Sequence, residues 1–251
     1  MIRVLILFVL LALPLRAEEI VSGLSQSRVS IDARFDGTSI LIYGAAMREE
    51  KPPVWPLLQV IVTVAGPEIP IVVRQKERVA GIWINQGAMA VDGAPSFYAI
   101  MTTGPLDEIL SVAEDEVHNV SIPREIGAVR LGAGAGSSAE YLAALERIRK
   151  AEGRFRLAPN SVLLLQQSLF RTEVALPANL TEGDYKVRIF LTRGGTVVDL
   201  QESVIRVAKD GLERFLFRLA QDQPLLYGIL SLLMAAFAGW AASEVFRRLR
   251  L

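Results

Sequence analysis

The acidic cluster that surrounds the single histidine of the chain is the first place where metal chemistry could occur. Glu114 and His118 are four residues apart, so they would lie one turn apart on a helix. A zinc site takes three or four such ligands, but the sequence has no second histidine and no cysteine. We therefore interpret the cluster as a solvated acidic face and predict no metal site.

Motifs for catalysis and nucleotide binding are also missing. His118 is the only imidazole that could serve a Ser/His/Asp triad, and no Gly-x-Ser-x-Gly motif is present. The glycine-rich run 132–136 precedes a predicted helix, but no Lys-Ser or Lys-Thr pair follows it, so we interpret it as a linker. The lack of cysteine excludes disulfides and thiolate nucleophiles. The sequence thus predicts a protein that is not an enzyme and needs no cofactor.

Aromatic residues offer binding surfaces instead. Trp55 lies among three prolines, in a stiff loop where the indole has little reason to fold inward, and we predict a partner contact there. Trp83, Phe97 and Tyr98 lie in apolar strand patterns and are predicted to be core residues. The alternative for these aromatic residues is the lining of a ligand cleft.

The uncharged segment 223–243 predicts a transmembrane helix. Its 21 residues would rise by about 30 Å, which is the hydrocarbon thickness of a bilayer. The tail 244–251 contains Arg247, Arg248 and Arg250, and the positive-inside rule places this tail in the cytoplasm.

Residues 1–17 have the pattern of a secretory signal peptide. Arg3 precedes an apolar run of about ten residues, and Ala17 is followed by an acidic pair. We expect cleavage after Ala17, with an uncleaved anchor as the alternative. Both ends of the chain predict the same topology, a single-pass membrane protein whose body is exported.

The predicted exported body, residues 18–222, is mildly acidic. The chain has 27 basic and 27 acidic residues, and five arginines and one glutamate lie in the two ends, which leaves 22 basic and 26 acidic residues and a net charge of −4. Nucleic-acid binding requires a basic face that displaces counterions from phosphates. We therefore predict no nucleic-acid partner.

Apolar and polar residues alternate through residues 18–104 and predict a first β unit. The strand around Val29 is followed by Asp36-Gly37, which predicts a hairpin turn into the strand around Ile40. Short strands without intervening helices are typical of a sandwich, so we expect an Ig-like domain without its disulfide.

Helical periodicity follows in residues 105–153, which we predict as a helical and linker section. Strand patterns return in residues 154–208, a second β-sandwich-like unit in which Arg193-Gly194-Gly195 predicts a hairpin turn. Residues 209–222 are predicted to be an amphipathic juxtamembrane segment, with a plain helical extension of the span as the alternative. The predicted fold class is mainly β, with Ig-like β-sandwich units, intervening helices and one C-terminal transmembrane helix.

Small residues recur at four-residue intervals within the predicted span. They lie along one side of a helix and would let a second helix approach closely, so that van der Waals contact can drive association in lipid. We expect this side to pack on another membrane protein or on a second copy of the chain. Its members are Ser231, Ala235, Gly239 and Ser243.

Three segments of the sequence together carry a resemblance to a known family. They are AEEIVSGLSQSRVSIDARFDG, APSFYAI followed by GPLDEIL, and QDQPLLYGILSLLMAAFAGW before the arginine-rich end. Over nearly its whole length the chain resembles the uncharacterised single-pass transmembrane proteins of alphaproteobacteria. The resemblance implies an inner-membrane protein with no assigned activity and, as a partner, a permease of the sulfite-exporter type; it implies no functional residue.

We therefore expect a membrane-anchored, non-enzymatic accessory or scaffold subunit in the periplasm, with membrane lipid around its span and a transporter as its partner. The alternative is a periplasmic ligand-binding or sensing module, whose ligand the sequence does not define. An enzyme is the third and weakest alternative, because the catalytic groups are missing.

Overall fold

The structure, a computed structural model, is mainly β with one long C-terminal helix, which confirms the predicted fold class at this level. It describes residues 18–31, 35–48, 53, 55–127, 130–131, 138–209 and 219–249. The predicted signal peptide, the glycine-rich run and most of the juxtamembrane segment therefore lie outside the described residues. The β-rich body and the C-terminal helix belong to different compact units, and each is described by itself.

Thirteen strands and five helices lie within the described ranges. The strands are β1 (Glu19–Leu24), β2 (Arg28–Ile31), β3 (Gly37–Met47), β4 (Leu58–Ala65), β5 (Glu68–Val79), β6 (Ile82–Pro95), β7 (Tyr98–Thr102), β8 (Arg130–Leu131), β9 (Phe155–Ala158), β10 (Leu163–Leu165), β11 (Leu169–Pro177), β12 (Gly183–Arg193) and β13 (Thr196–Lys209). The helices are α1 (Leu106–Ile109), α2 (Val112–His118), α3 (Ile122–Gly127), α4 (Ser138–Ala151) and α5 (Pro224–Leu249).

The strands form three sheets. A four-stranded sheet has the order β1-β3-β11-β10, a six-stranded sheet has the order β2-β13-β12-β4-β7-β9, and a three-stranded sheet has the order β5-β6-β8. Strands from both predicted β segments therefore lie side by side, since β3 pairs with β11 and β4 pairs with β12. The Ig-like topology itself stays a prediction.

The hairpin predicted at Asp36-Gly37 is wrong. Strand β2 lies in the six-stranded sheet beside β13, whereas β3 pairs with β1 and β11 in the four-stranded sheet. Gly37 instead begins β3 opposite Pro177, with a φ of +114° that favours glycine. A Cβ at Gly37 would lie 2.9 Å from the carbonyl oxygen of Leu176. Long-range pairing with β11 therefore determines this backbone, and the local turn signal does not.

The hairpin predicted at Arg193-Gly194-Gly195 is confirmed, because β12 and β13 pair across it.

The core of the body surrounds the middle strands of the six-stranded sheet. Strands β4 and β7 are buried on both faces, and their sequences are nearly continuous apolar runs, which fits strands covered on two sides. Strand β12 alternates between buried and exposed residues in its first half and is buried on both faces only from Ile189 to Thr192. One side packs on the short helices, where Ile61, Ile100 and Phe190 form a cluster with Ile109 and Ile126. Hydrogen bonds also join the first strand of the four-stranded sheet to β13: the Ile20 amide donates to Asp199 at 2.7 Å, and the Ser22 hydroxyl donates to Gln201 at 2.6 Å.

Residues 105–153 contain the helices α1 to α4 and the short strand β8, and the first part of this section is divided into short helices. The residues from Pro105 to Asn119 form two helices separated at Leu110, because Leu110 has extended backbone and Ser111 caps α2. Asn119 ends α2 in the left-handed conformation. The helix predicted after the glycine-rich run is present as α4.

Two of the three aromatic residues predicted in the core are there, and the third is not. Phe97 and Tyr98 are 3% and 0% exposed, which confirms the prediction. Trp83 is 67% exposed, so its prediction is wrong. Its strand, β6, continues past the short β8, which pairs only at Val91 and Asp92, and no described element covers the far end.

The C-terminal helix α5 is long and apolar enough to cross a bilayer. Its segment Pro224–Val245 has 22 residues, a mean hydropathy of 1.9 and no part buried against the rest of the described chain. At 1.5 Å per residue it covers about 33 Å. The predicted span thus coincides with one continuous helix.

Candidate functional site

The four-stranded sheet has one buried face and one face that no described residue covers. On β11, Phe170, Thr172 and Val174 are buried, whereas Leu169 and Arg171 are exposed. Alternate side chains of a strand point to opposite faces, so the exposed positions form a second face. We call it the outer face; its large apolar members are Val21, Leu41, Tyr43, Met47, Leu163, Leu165 and Leu169, each between 40% and 56% exposed.

Strand register places the apolar side chains of the outer face in adjacent rows. Ala45 of β3 pairs with Val21 on one side and with Leu169 on the other, and Leu169 pairs with Leu165. Side chains that are directly opposite lie on the same face of the sheet, so this row crosses all four strands. The next row consists of Gly23, Tyr43, Arg171 and Leu163.

These rows line a shallow groove of about 570 Å³. Gly23 contributes to its shape because a Cβ there would lie 2.9 Å from the ring of Tyr43. The missing side chain therefore lets the tyrosine ring lie close to β1. The groove offers apolar side chains over four strands, with Arg171 as the charged residue in its lining.

A contiguous apolar face of this kind is typical of a surface that another molecule buries. Single exposed apolar residues are common, but seven on one face of one sheet are a patch. Sequence patterns alone do not predict this surface. The available signal was the run Leu163–Leu165 together with Leu169, where apolar residues occupy both faces of the strands.

On the six-stranded sheet, Arg188 of β12 forms the most connected polar cluster in the described part of the chain. Its Nη1 donates to the carbonyl oxygen of His118 at 2.7 Å, and its Nη2 donates to the carbonyl oxygen of Asn119 at 3.2 Å. The same Nη2 lies 3.2 Å from Glu125 Oε2 and 3.2 Å from the Tyr98 hydroxyl. These bonds fasten the end of α2 and the helix α3 to the six-stranded sheet.

Burial changes the acid–base properties of this cluster. Burial raises the pKa of Glu125 above its ordinary value, although the neighbouring Arg188 opposes the change. Burial also raises the pKa of Tyr98, whose hydroxyl donates to the carbonyl oxygen of Val120 at 2.8 Å. The arginine therefore compensates a carboxylate that the apolar surroundings disfavour, which is a structural role.

A polar cleft of about 830 Å³ lies next to the Arg188 cluster. Acidic side chains outnumber basic ones in its lining, so a positively charged group fits its charge better than an anion does. Its charged members are Glu68, Asp92, Glu125, Asp184, Lys186 and Arg188.

The predicted partner contact Trp55 is 78% exposed. The next residue, Pro56, is held in place, because its carbonyl oxygen accepts a hydrogen bond of 2.5 Å from Arg193. Arg193 also donates at 2.6 Å to Glu18, which in addition accepts from Arg48 at 3.0 Å. Two arginines and one carboxylate thus hold the loop that presents the indole to solvent; the partner contact itself stays a prediction.

The predicted helix-packing face is on α5, where Ser231, Ala235, Gly239 and Ser243 are all exposed. A Cβ at Gly239 would meet no described atom within 4 Å. The hydroxyl of Ser231 donates to the carbonyl oxygen of Gly228 at 2.8 Å and so stays within its own helix. This face can accept a second helix, and association remains a prediction.

The predicted cytoplasmic tail is only partly described, whereas the predicted acidic face is described in full. Arg247 is exposed and pairs with Glu244 one turn before it, whereas Arg250 and the side chain of Arg248 lie outside the described residues. Glu114 Oε2 and His118 Nε2 lie 3.4 Å apart. No group of three His, Asp or Glu side chains that could hold a metal ion occurs among the residues described.

We predict that Arg188→Met destabilises the body, and increasingly so as the pH rises. The pKa of Glu125 is raised in the folded state, so ionising this carboxyl costs stability. The stability that the protonated form provides is fully present below about pH 4.3, the ordinary pKa of a glutamate, and is lost as the pH rises through the folded-state pKa. Removing Arg188 raises the pKa of Glu125 further and leaves a buried carboxylate without its cation. We expect this to lower the free energy of unfolding by about 3 kcal/mol near neutral pH. Urea unfolding of the full chain in nanodiscs at several pH values measures the effect.

Two further variants make this prediction specific. Arg206→Met removes an exposed ion pair of 3.1 Å with Asp184 and is expected to cost less than about 1 kcal/mol. Adding Glu125→Gln to Arg188→Met should remove the extra pH dependence. An equal pH slope in the single and the double variant would contradict the role assigned to Glu125.

Comparison with known families agrees with the structure of both units. A family described as "Putative transmembrane protein (Alph_Pro_TM)" matches residues 19–248, which include the β-rich body and the helix α5. Comparison with curated proteins and with solved structures gives no match. The chain therefore belongs to the alphaproteobacterial transmembrane protein family Alph_Pro_TM.

Proposed function

We propose that this protein is a membrane-anchored, non-enzymatic accessory subunit whose body docks on a partner protein through the outer face. The observation that carries the proposal is the contiguous apolar surface of the four-stranded sheet. Burying a side chain such as leucine is worth about 1.5–3 kcal/mol relative to leaving it in water. Several such side chains in two rows can therefore supply the binding energy of a stable complex.

The charged residues on the outer face favour a protein as the partner. Arg171 lies between Tyr43 and Leu163, and Glu173 lies opposite Leu41 in the next row. A protein surface can pair both charges at the rim of an apolar contact, as interfaces commonly do. Lipid tails could not pair the carboxylate, which would lose its hydration at a cost.

The helix α5 supports a partner that is itself a membrane protein. Its small residues from Ser231 to Ser243 leave one side without bulky groups, and helices in lipid associate through such sides. We assign the partner to the transporters, on the basis of the resemblance to proteins that accompany a sulfite-exporter-type permease. In this proposal the signal peptide directs the body into the periplasm, and the arginine-rich tail stays in the cytoplasm.

We predict that a photo-crosslinking amino acid at Leu169, in native membranes, forms a discrete product with a polytopic membrane protein. The same amino acid at Val204 is the matched control, because Val204 is 54% exposed on a strand of the other sheet. Leu165→Glu should remove the product at Leu169, since it places a charge in the same row. Equal crosslinking from Val204, or a product unchanged by Leu165→Glu, would contradict docking at the outer face.

A second prediction concerns the span. Gly239→Leu should lower the recovery of the partner about tenfold in a mild detergent, because the branched side chain separates the two helices. Leu232→Ala is the control, since Leu232 is 72% exposed and does not belong to the small-residue series. Recovery that is unaffected by Gly239→Leu would restrict the interface to the body and contradict the role of α5.

The polar cleft favours ligand binding as a second candidate function. Its acidic excess supports a small organic cation as the ligand. If this function is the correct one, a diamine at millimolar concentration raises the melting temperature of the full chain in nanodiscs, and Asp92→Asn removes the shift. An equal shift in wild type and Asp92→Asn, or no shift at all, would eliminate the cleft as a binding site.

A further inference from the structure

The hairpin of β5 and β6 extends beyond the other strands of its sheet. The two strands pair from Glu68 and Pro95 as far as Val79 and Ile82, and Ala80 and Gly81 form the turn with φ values of +51° and +88°. Positive φ at both turn residues gives the twist that suits a two-residue hairpin. All twelve residues from Arg74 to Asn85, which we call the hairpin tip, are exposed.

Large apolar side chains lie on both faces of the hairpin tip, with Val79, Ile82 and Ile84 on one face and Trp83 on the other. Ile82 and Trp83 are 65% and 67% exposed, and Val79 and Ile84 are 43% and 37% exposed. Val79 pairs with Ile82, so these two share one face, whereas Trp83 points to the opposite face. A flat partner could bury only one of these faces. A medium that surrounds the tip buries both.

The charge of the hairpin tip selects an anionic medium. The tip contains three basic residues, Arg74, Lys76 and Arg78, and one acidic residue, Glu77, so its net charge is +2. The long cationic side chains can cover apolar surface with their stems while their charged ends stay in a polar layer. Tryptophan has a matching preference for the headgroup region of a bilayer.

The base of the hairpin is braced by the helix α4. The Tyr141 hydroxyl lies 3.3 Å from Gln75 Oε1. A Cβ at Gly87 would lie only 2.3 Å from this hydroxyl oxygen, so the absence of a side chain at Gly87 lets the helix approach the strand. The tip is therefore presented by a supported ribbon.

We propose that the hairpin tip is a second membrane contact of this protein, in which Ile82 and Trp83 insert among the headgroups of an anionic bilayer. A chain of a transmembrane family stays close to a bilayer, so the tip meets lipid at a high effective concentration. The basic side chains then contact the phosphates, and each basic side chain near an anionic surface favours binding. This contact is independent of the outer face and of the partner proposed above.

The test uses the fluorescence of a single tryptophan in the full chain. The sequence has three tryptophans, so Trp55→Phe with Trp240→Phe leaves Trp83 as the only one. In nanodiscs of phosphatidylcholine and phosphatidylglycerol with brominated acyl chains, we expect about a twofold loss of Trp83 emission relative to unbrominated lipid. The loss of emission should be smaller in nanodiscs without phosphatidylglycerol. In nanodiscs with phosphatidylglycerol, it should also be smaller when Arg74→Gln, Lys76→Gln and Arg78→Gln are combined.

A chain with Val204→Trp, in which the three native tryptophans are phenylalanine, is the control for random collisions with lipid. Its emission should be unaffected by bromine, because Val204 lies on a different sheet. Three outcomes would overturn the proposal. Trp83 emission that is red-shifted and unquenched places the tip in water, and blue-shifted but unquenched emission places it against protein. Equal quenching in the control would show that the contact is not specific to the tip.

Discussion

Pairing between distant strands is the constraint on which the rest of this structure depends. Strand β11 pairs along its whole length with β3, and β4 pairs with β12, so segments more than 100 residues apart complete each other's sheets. Neither predicted β segment has its own closed set of strands. Because β11 and β10 extend the four-stranded sheet beside β3, they also create the row of apolar side chains on the outer face. The candidate docking surface is thus a direct result of long-range pairing.

Burial is distributed unevenly over the molecule. The central strands of the six-stranded sheet are covered on both sides, and Arg188 on β12 is engaged with carbonyl oxygens, a carboxylate and a phenol. In contrast, apolar side chains remain exposed on the outer face, at the hairpin tip and along α5. A soluble protein would conceal such surfaces. A membrane-bound subunit can bury each of them against protein or lipid.

Local patterns predicted the features that local physics determines. The transmembrane helix followed from 21 uncharged residues, the strand β12 from its alternation, and the last hairpin from Gly194 and Gly195. Features that depend on pairing partners were not predicted. Gly37 was assigned to a turn because nothing local shows that β11 would pair there. Trp83 was assigned to the core because its apolar neighbours do not reveal that the hairpin extends past its sheet. The outer face was missed for the same reason, since its rows form only when four strands come together.

The central claim is that the outer face is covered by a partner in the native membrane, and cysteine accessibility tests it most directly. The chain has no cysteine, so Leu169→Cys and Val204→Cys each introduce a single thiol. The account predicts that a membrane-impermeant maleimide labels Leu169→Cys about tenfold more slowly than Val204→Cys in intact spheroplasts, and equally fast once detergent has dissociated the complex. Equal labelling of both thiols in the spheroplasts would contradict it.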